Sequence, residues 1–334
     1  MKRLVMMVLL SSLLSCIDPV ELPIRSETPR LVVDGLITNE PPPYSVRLSY
    51  SGDFTFEQES ARDQKVTDAT VTLSDDTGQS TVLAHDPFNP GYYRTTDLAF
   101  TGQPGRSYTL TLTLADGTRY ASQPERMPPV PPIDTVYADL NRSETDLFDS
   151  YRFAFYIDTN DPGNEQNFYG WTATSYNVQG SPPDYCWVKT ENQRINIFTD
   201  KAVNGKSIRR RPVVQSPIRS IGPHFVEVKQ YSLSQRAYQF YRLFEEQQTR
   251  TGTIFDPLPA SVIGNISQIG QPDERALGYF RASATTTKRT RFYSEEVYRP
   301  AVQQYLATLQ ANRRTCCSGP CFLELRYNPP GFND

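Results

Sequence analysis

The stretch RSYTLTLTLADGTRYAS, residues 106–122, decides how this chain reads. Thr109, Thr111 and Thr113 alternate with Leu110, Leu112 and Leu114, so an extended backbone puts hydroxyls on one face and leucines on the other. Ala115-Asp116-Gly117 supplies a turn and RYAS resumes the alternation, which makes the stretch a hairpin with one buried side. LVVDGLITNE (31–40), YSVRLSY (44–50), ATVTLSDDTG (69–78) and GYYRTTDLAF (91–100) repeat the pattern upstream, split by Asp-Asp-Thr-Gly and Asn-Pro-Gly turn signals. Short strands at this spacing predict an immunoglobulin-like β-sandwich over residues 29–123. The span holds no Cys or Trp, so a disulfide-pinned antibody-type domain is excluded.

Composition extends the reading to the whole chain of 334 residues. Twenty Tyr, 17 Phe and 27 Pro with few helical patterns indicate an all-β dominated fold. Five prolines crowd residues 124–134, which predicts an extended polyproline linker to a larger β-rich domain over 135–334. In that domain SYRFAFYID, FYGWTATSYNV, HFVEVKQY and GYFRASATTTKRTRFY read as strands. One segment breaks the pattern. SLSQRAYQFYRLFEEQQTR predicts a packed helix near 232–250, with a capping box from Ser232 to Gln235 and a stripe of Leu233, Ala237, Phe240, Tyr241 and Phe244. RPAVQQYLATLQANRR (299–314) is a weaker helical candidate.

The first sixteen residues, MKRLVMMVLLSSLLSC, place the protein. Lys2 and Arg3 precede an apolar run from Leu4 to Leu14, about half the length a helix needs to cross a bilayer. Leu13-Leu14-Ser15-Cys16 resembles the bacterial lipobox. Residues 1–15 are then a lipoprotein signal peptide, Cys16 the lipidation site and residues 16–28 a tether, with outer-membrane lipid as the first partner. Without Lys2 and Arg3 the 34 basic groups fall further behind the 37 acidic ones, so nucleic acid is not an expected partner.

Cys186, Cys316, Cys317 and Cys321 remain, an even number in a compartment that permits disulfides. Four cysteines allow three connectivities. A bond between the adjacent Cys316 and Cys317 is strained, so one is expected to pair with Cys321 and the other with Cys186. A zinc site lacks a nearby His.

The usual carriers of catalysis are sparse. His85 and His224 are the only histidines, and neither sits in a hydrolase, zinc or phosphate-binding motif, so no enzymatic activity and no cofactor are expected. DTNDPGNEQNF gathers Asp158, Asn160, Asp161 and Asn164, a weak calcium candidate without EF-hand spacing. KSIRRR, with Lys206 and Arg209 to Arg211, suits phosphates or an acidic partner but reads more simply as a solvated loop. Phe168, Tyr169, Trp171, Tyr185 and Trp187 are candidates for a stacking platform that meets a ligand or partner, against the simpler reading of core aromatics on strands. Asn265-Ile266-Ser267 fits a glycosylation sequon, and Asp134-Thr135-Val136 a short O-glycosylation motif at Thr135.

FDPLPASVIGNISQIGQPDERALGYFRASA (255–284), with DPGNEQNFYGW (161–171) and LVVDGLITNE after the lipobox, resembles a Bacteroidota lipoprotein family known only as domain of unknown function 4249. The tail CCSGPCFLELRYNPPGFND departs from that family's usual Gly-rich ending. The resemblance implies an accessory surface lipoprotein of a TonB-dependent nutrient uptake system, and it supplies no catalytic residues to carry over. In the block itself, ALGYFRASA reads as a strand with Leu277, Tyr279 and Arg281 on one face and Gly278 and Phe280 on the other. The expected function is non-enzymatic binding beside a TonB-dependent transporter at the outer membrane, on the cell surface or facing the periplasm. The alternative is a structural or adhesive glycan-binding surface lipoprotein.

Overall fold

A computed structural model describes residues 28–52, 64–142, 151–181, 184–191, 195–218, 223–249 and 262–293, with Gln304 and Phe332. Period-2 alternation becomes strand throughout. The first part of the chain forms β1 (Leu31–Thr38), β2 (Ser45–Tyr50), β3 (Gln64–Lys65), β4 (Thr70–Asp75), β5 (Ser80–His85), β6 (Tyr92–Thr95), β7 (Ser107–Thr113), β8 (Arg119–Ser122) and β9 (Glu125–Arg126). There follow β10 (Ile133–Arg142), β11 (Tyr151–Asn160), β12 (Phe168–Ser181), β13 (Asp184–Glu191), β14 (Asn196–Thr199), β15 (Ser207–Pro217) and β16 (Pro223–Ser232). Helix α1 (Gln235–Thr249) precedes β17 (Ile266–Gln268), β18 (Gln271–Arg275), β19 (Leu277–Ser283) and β20 (Thr285–Tyr293). The fold is strand-dominated, as the composition implies. No helix among the described residues is long and apolar enough to cross a membrane.

Twelve strands join in one sheet of order β18-β17-β8-β7-β4-β5-β6-β2-β1-β19, with β3 on β2 and β9 on β7. The immunoglobulin-like sandwich expected for 29–123 is not confirmed: these strands are linked in one hydrogen-bonded sheet around one core, and β17, β18 and β19 of that sheet come from beyond residue 262. The physical reason is the edge of β1. Its Val33, Gly35 and Ile37 are buried, and the edge left by antiparallel β2 is taken by β19 in parallel, with Val32 opposite Leu277 and Thr38 opposite Ser283.

Asn265 draws the two ends of this sheet together. Its side-chain Nδ2 donates to the Phe280 carbonyl at 2.7 Å, and the Phe280 N–H donates to its Oδ1 at 2.9 Å. The Gln123 N–H meanwhile donates to its backbone carbonyl at 2.7 Å. One amide thus substitutes for a strand residue between β8 and β19. The sequon at Asn265 has its Nδ2 buried and engaged, which leaves no room for a sugar. Backbone crowding here demands glycine. Gly278 has φ +86°, and a Cβ on it would lie 2.1 Å from the Val33 carbonyl; one on Gly264 would lie 2.0 Å from the Gly278 carbonyl.

The second unit faces sheet β10-β11-β15 against sheet β13-β12-β16-β20, with β14 also on β12. Phe153, Phe155, Ile157, Tyr169, Trp171, Val226 and Val228 fill the space between them. The proline segment is docked rather than free. Prolines donate no N–H, and their carbonyls accept from side chains of the second unit. Ser232 Oγ donates to Pro128, Gln230 Nε2 to Pro131 and Thr159 Oγ1 to Pro132, at 2.6, 2.8 and 2.9 Å. Val130 packs against both cores.

Helix α1 starts two residues later than the capping box predicts. Ser232 completes β16, and Ser234 is the cap, accepting from the Ala237 N–H at 3.0 Å. Leu233, Ala237 and Phe240 are buried with Tyr279, while Phe244 at the far end of the stripe is exposed. The helix therefore covers β19, which fixes the floor of the site described next.

Candidate functional site

Where α1 lies over the β1–β19 pair, it leaves a cleft of about 1150 Å³. β1 contributes Val32, Asp34 and Leu36, β19 contributes Tyr279 and Arg281, and the helix contributes Phe240, Tyr241, Phe244 and Glu245. Parallel pairing explains the floor. Leu36 is the register partner of Arg281 and Asp34 that of Tyr279, so alternate residues of both strands point to the same side.

Arg281 is the unusual group in the cleft. Its side chain is buried, with residue exposure of 7%, yet among the described residues Nε and Nη1 have no hydrogen-bond partner. The guanidinium carbon stands 4.9 Å from the Tyr231 ring centroid and 5.3 Å from that of Tyr241. The π faces of the rings attract the positive charge. Ser283, two residues further along the strand, also carries a buried hydroxyl without a partner among the described residues.

Beside it lies a second buried charge. Glu125, fully buried on β9, accepts from the hydroxyls of Ser234 and Tyr279, the latter at 3.1 Å, with Arg236 at 3.6 Å. Burial pushes its carboxyl upward, and the bonds from Ser234 and Tyr279 and the Arg236 charge oppose that shift. Tyr279 is raised far above the ordinary phenol range, by burial first and by Glu125 second. This cluster ties the linker, the helix cap and β19 together, and its bonds are internal.

The residues singled out from sequence lie elsewhere. Tyr169 and Trp171 are fully buried in the second core, where Trp171 Nε1 donates to Gln230 at 2.8 Å, so an external stacking platform at these two rings is corrected to core packing. Phe168 is half-buried against Tyr238 of α1, with centroids 5.0 Å apart. Tyr185, Cys186 and Trp187 are on β13, opposite Gly180, Gln179 and Val178, and their side chains lie outside the described residues. Cys16, Cys316, Cys317 and Cys321 are outside them too, as is the 299–314 helical candidate apart from Gln304. Thr135 is exposed on β10.

The weak calcium candidates do not converge. Asp158 accepts from the Arg210 N–H at 2.8 Å and from Arg209, and Asn160 bonds Asp134 and Ser207. Asp161 accepts from the Tyr169 hydroxyl at 2.5 Å and the Gly205 N–H at 2.8 Å, while Asn164 is exposed. Among the described residues no group of three acidic, His or Cys side chains could hold a metal. The KSIRRR arginines are used within the fold: Arg209 on Asp158, Arg210 on Asp139, and Arg211 over Trp171 at 5.3 Å. His85 on β5 stacks edge-on with Tyr93, and His224 on β16 is buried beside Phe153. Neither lines the cleft.

Arg281, Tyr231 and Tyr241 escaped the sequence reading as a set. The available signal was the placement of Arg281 on the face of Leu277 and Tyr279; its burial under α1 carries no sequence mark.

A family model described as Domain of unknown function (DUF4249) matches residues 17–289. No curated protein matches the chain.

Proposed function

The chain belongs to the DUF4249 family, and from that premise we propose that it is a non-enzymatic binding protein, an outer-membrane lipoprotein held by lipid on Cys16 that serves a TonB-dependent nutrient uptake system. One observation carries the binding reading: a 1150 Å³ cleft, walled by apolar and aromatic side chains, with a buried arginine on its floor. The cleft has the size and lining of a small-ligand site, and among the described residues no histidine or cysteine lines it. Attachment to the same membrane as the transporter raises the encounter rate without a large interface. The lipobox and the family resemblance support the location.

The test is capture of tagged protein from native outer membranes in mild detergent, with Cys16→Ala as control and identification of what is recovered. Recovery of one TonB-dependent transporter, lost in the control, is the expected result. A cell-surface protein that recovers no transporter overturns the uptake role.

A further inference from the structure

We propose that the cleft takes an organic carboxylate with an apolar or aromatic body, its carboxylate seated on the Arg281 guanidinium. This rests on the reading of the cleft as a binding site and names its ligand class. A buried guanidinium normally meets a carboxylate, because an arginine cannot shed its proton and unpaired donors in a dry site are costly. Neither Glu125 nor Asp34 does this for Arg281. Glu125 is engaged by Ser234, Tyr279 and Arg236, and Asp34 is exposed on β1 without an ion pair to Arg281. The Tyr231 and Tyr241 rings, 4.9 and 5.3 Å from the guanidinium carbon, help to hold the cation in place, and a guanidinium suits a planar carboxylate.

The walls decide the rest of the ligand. Leu36, Phe240, Phe244, Val262 and Leu277 line the same space, so a compact inorganic anion would leave them uncovered, whereas a chain or ring bearing one carboxylate covers them.

Titration calorimetry of the purified full-length protein tests this with paired probes: octanoate against octanamide, and N-acetylphenylalanine against its amide, with inorganic phosphate as a third arm. The acids are expected to bind at least about tenfold tighter than the amides, a preference that Arg281→Gln abolishes. A ligand-free measurement guards against misfolding of that variant. Leu36→Glu, opposite Arg281 in register, supplies a carboxylate in cis and should raise the melting temperature by about 2–4 °C while Leu36→Gln does not. Acids and amides that bind equally overturn the anion assignment and leave the cleft as a binding site. Binding by none of the probes, stronger binding of phosphate, or no stabilisation by Leu36→Glu also overturns it. Transporter capture is read separately and stands or falls without it.

Discussion

His224 should make this fold sensitive to mild acid. It is 1% exposed on β16, with Phe153 edge-on at 4.8 Å and its Nδ1 without a partner among the described residues. Burial alone lowers its pKa to about 4, against about 6.5 in an unfolded chain. The folded state therefore binds this proton less readily than the unfolded state does. Stability is full above the unfolded value and declines as pH falls from about 6.5 through about 4, by about 3 kcal/mol in total. Around pH 5 the loss from this one group is about 2 kcal/mol. His224→Gln removes the titration and keeps a polar side chain, so it should cost stability at pH 7 and lose less than the native protein on acidification. Urea unfolding at pH 7, 6 and 5, followed by tryptophan fluorescence, to which Trp171 in the same core contributes, measures the difference. Native and variant curves that run parallel between pH 7 and 5 would refute the reasoning.

Three further outcomes follow from buried polar groups and close backbone contacts. Asn265→Ala leaves the Phe280 N–H and carbonyl without partners and should destabilise by about 3 kcal/mol, read as a lower urea midpoint. Gly278→Ala forces a Cβ into the Val33 carbonyl at positive φ; a cost of at least about 2 kcal/mol is expected, and a neutral result would mean that β19 can shift away from β1. Asp200 is fully buried beside Asp161, its Oδ1 has no partner among the described residues, and burial followed by the Asp161 charge raises its pKa against the bond from the Asn167 N–H. A raised carboxyl stabilises most below its unfolded pKa and loses that advantage as pH rises. Asp200→Asn should accordingly gain on the native protein between pH 4 and pH 7, and a constant difference across that range would count against the shift.

The strand-rich class was legible because alternation is a local property: Leu110 and Leu112 are buried where the Thr–Leu pattern puts them. The helix was legible for the same reason, although the cap moved from Ser232 to Ser234, since the end of β16 overrides a local capping pattern. What stayed hidden depends on distant partners. Nothing in LVVDGLIT says that its free edge will be taken by LGYFRAS, and two strands far apart in sequence leave no periodic trace of their pairing. The proline segment read as a spacer because its composition favours extension, while the side chains that hold it belong to β11, β16 and β20. The site suffered from the same blindness. Trp171 looked available and is core, whereas Arg281 looked ordinary and is a buried cation, because burial is set by which face another element covers.

The parallel pairing of β1 with β19 makes the order of synthesis matter. Topologically the second unit is an insertion between strands of the first, so a chain emerging from its N-terminus offers β1 long before its neighbour exists. Its early strands can collapse into the Thr–Leu hairpin and its neighbours, but the β1 edge stays open until Leu277–Ser283 has been made and Asn265 can bind Phe280. Truncation upstream of β19 is therefore expected to leave an incomplete sheet with an open edge rather than a smaller stable piece, since the sheet is complete only once nearly all of the described residues have been threaded out.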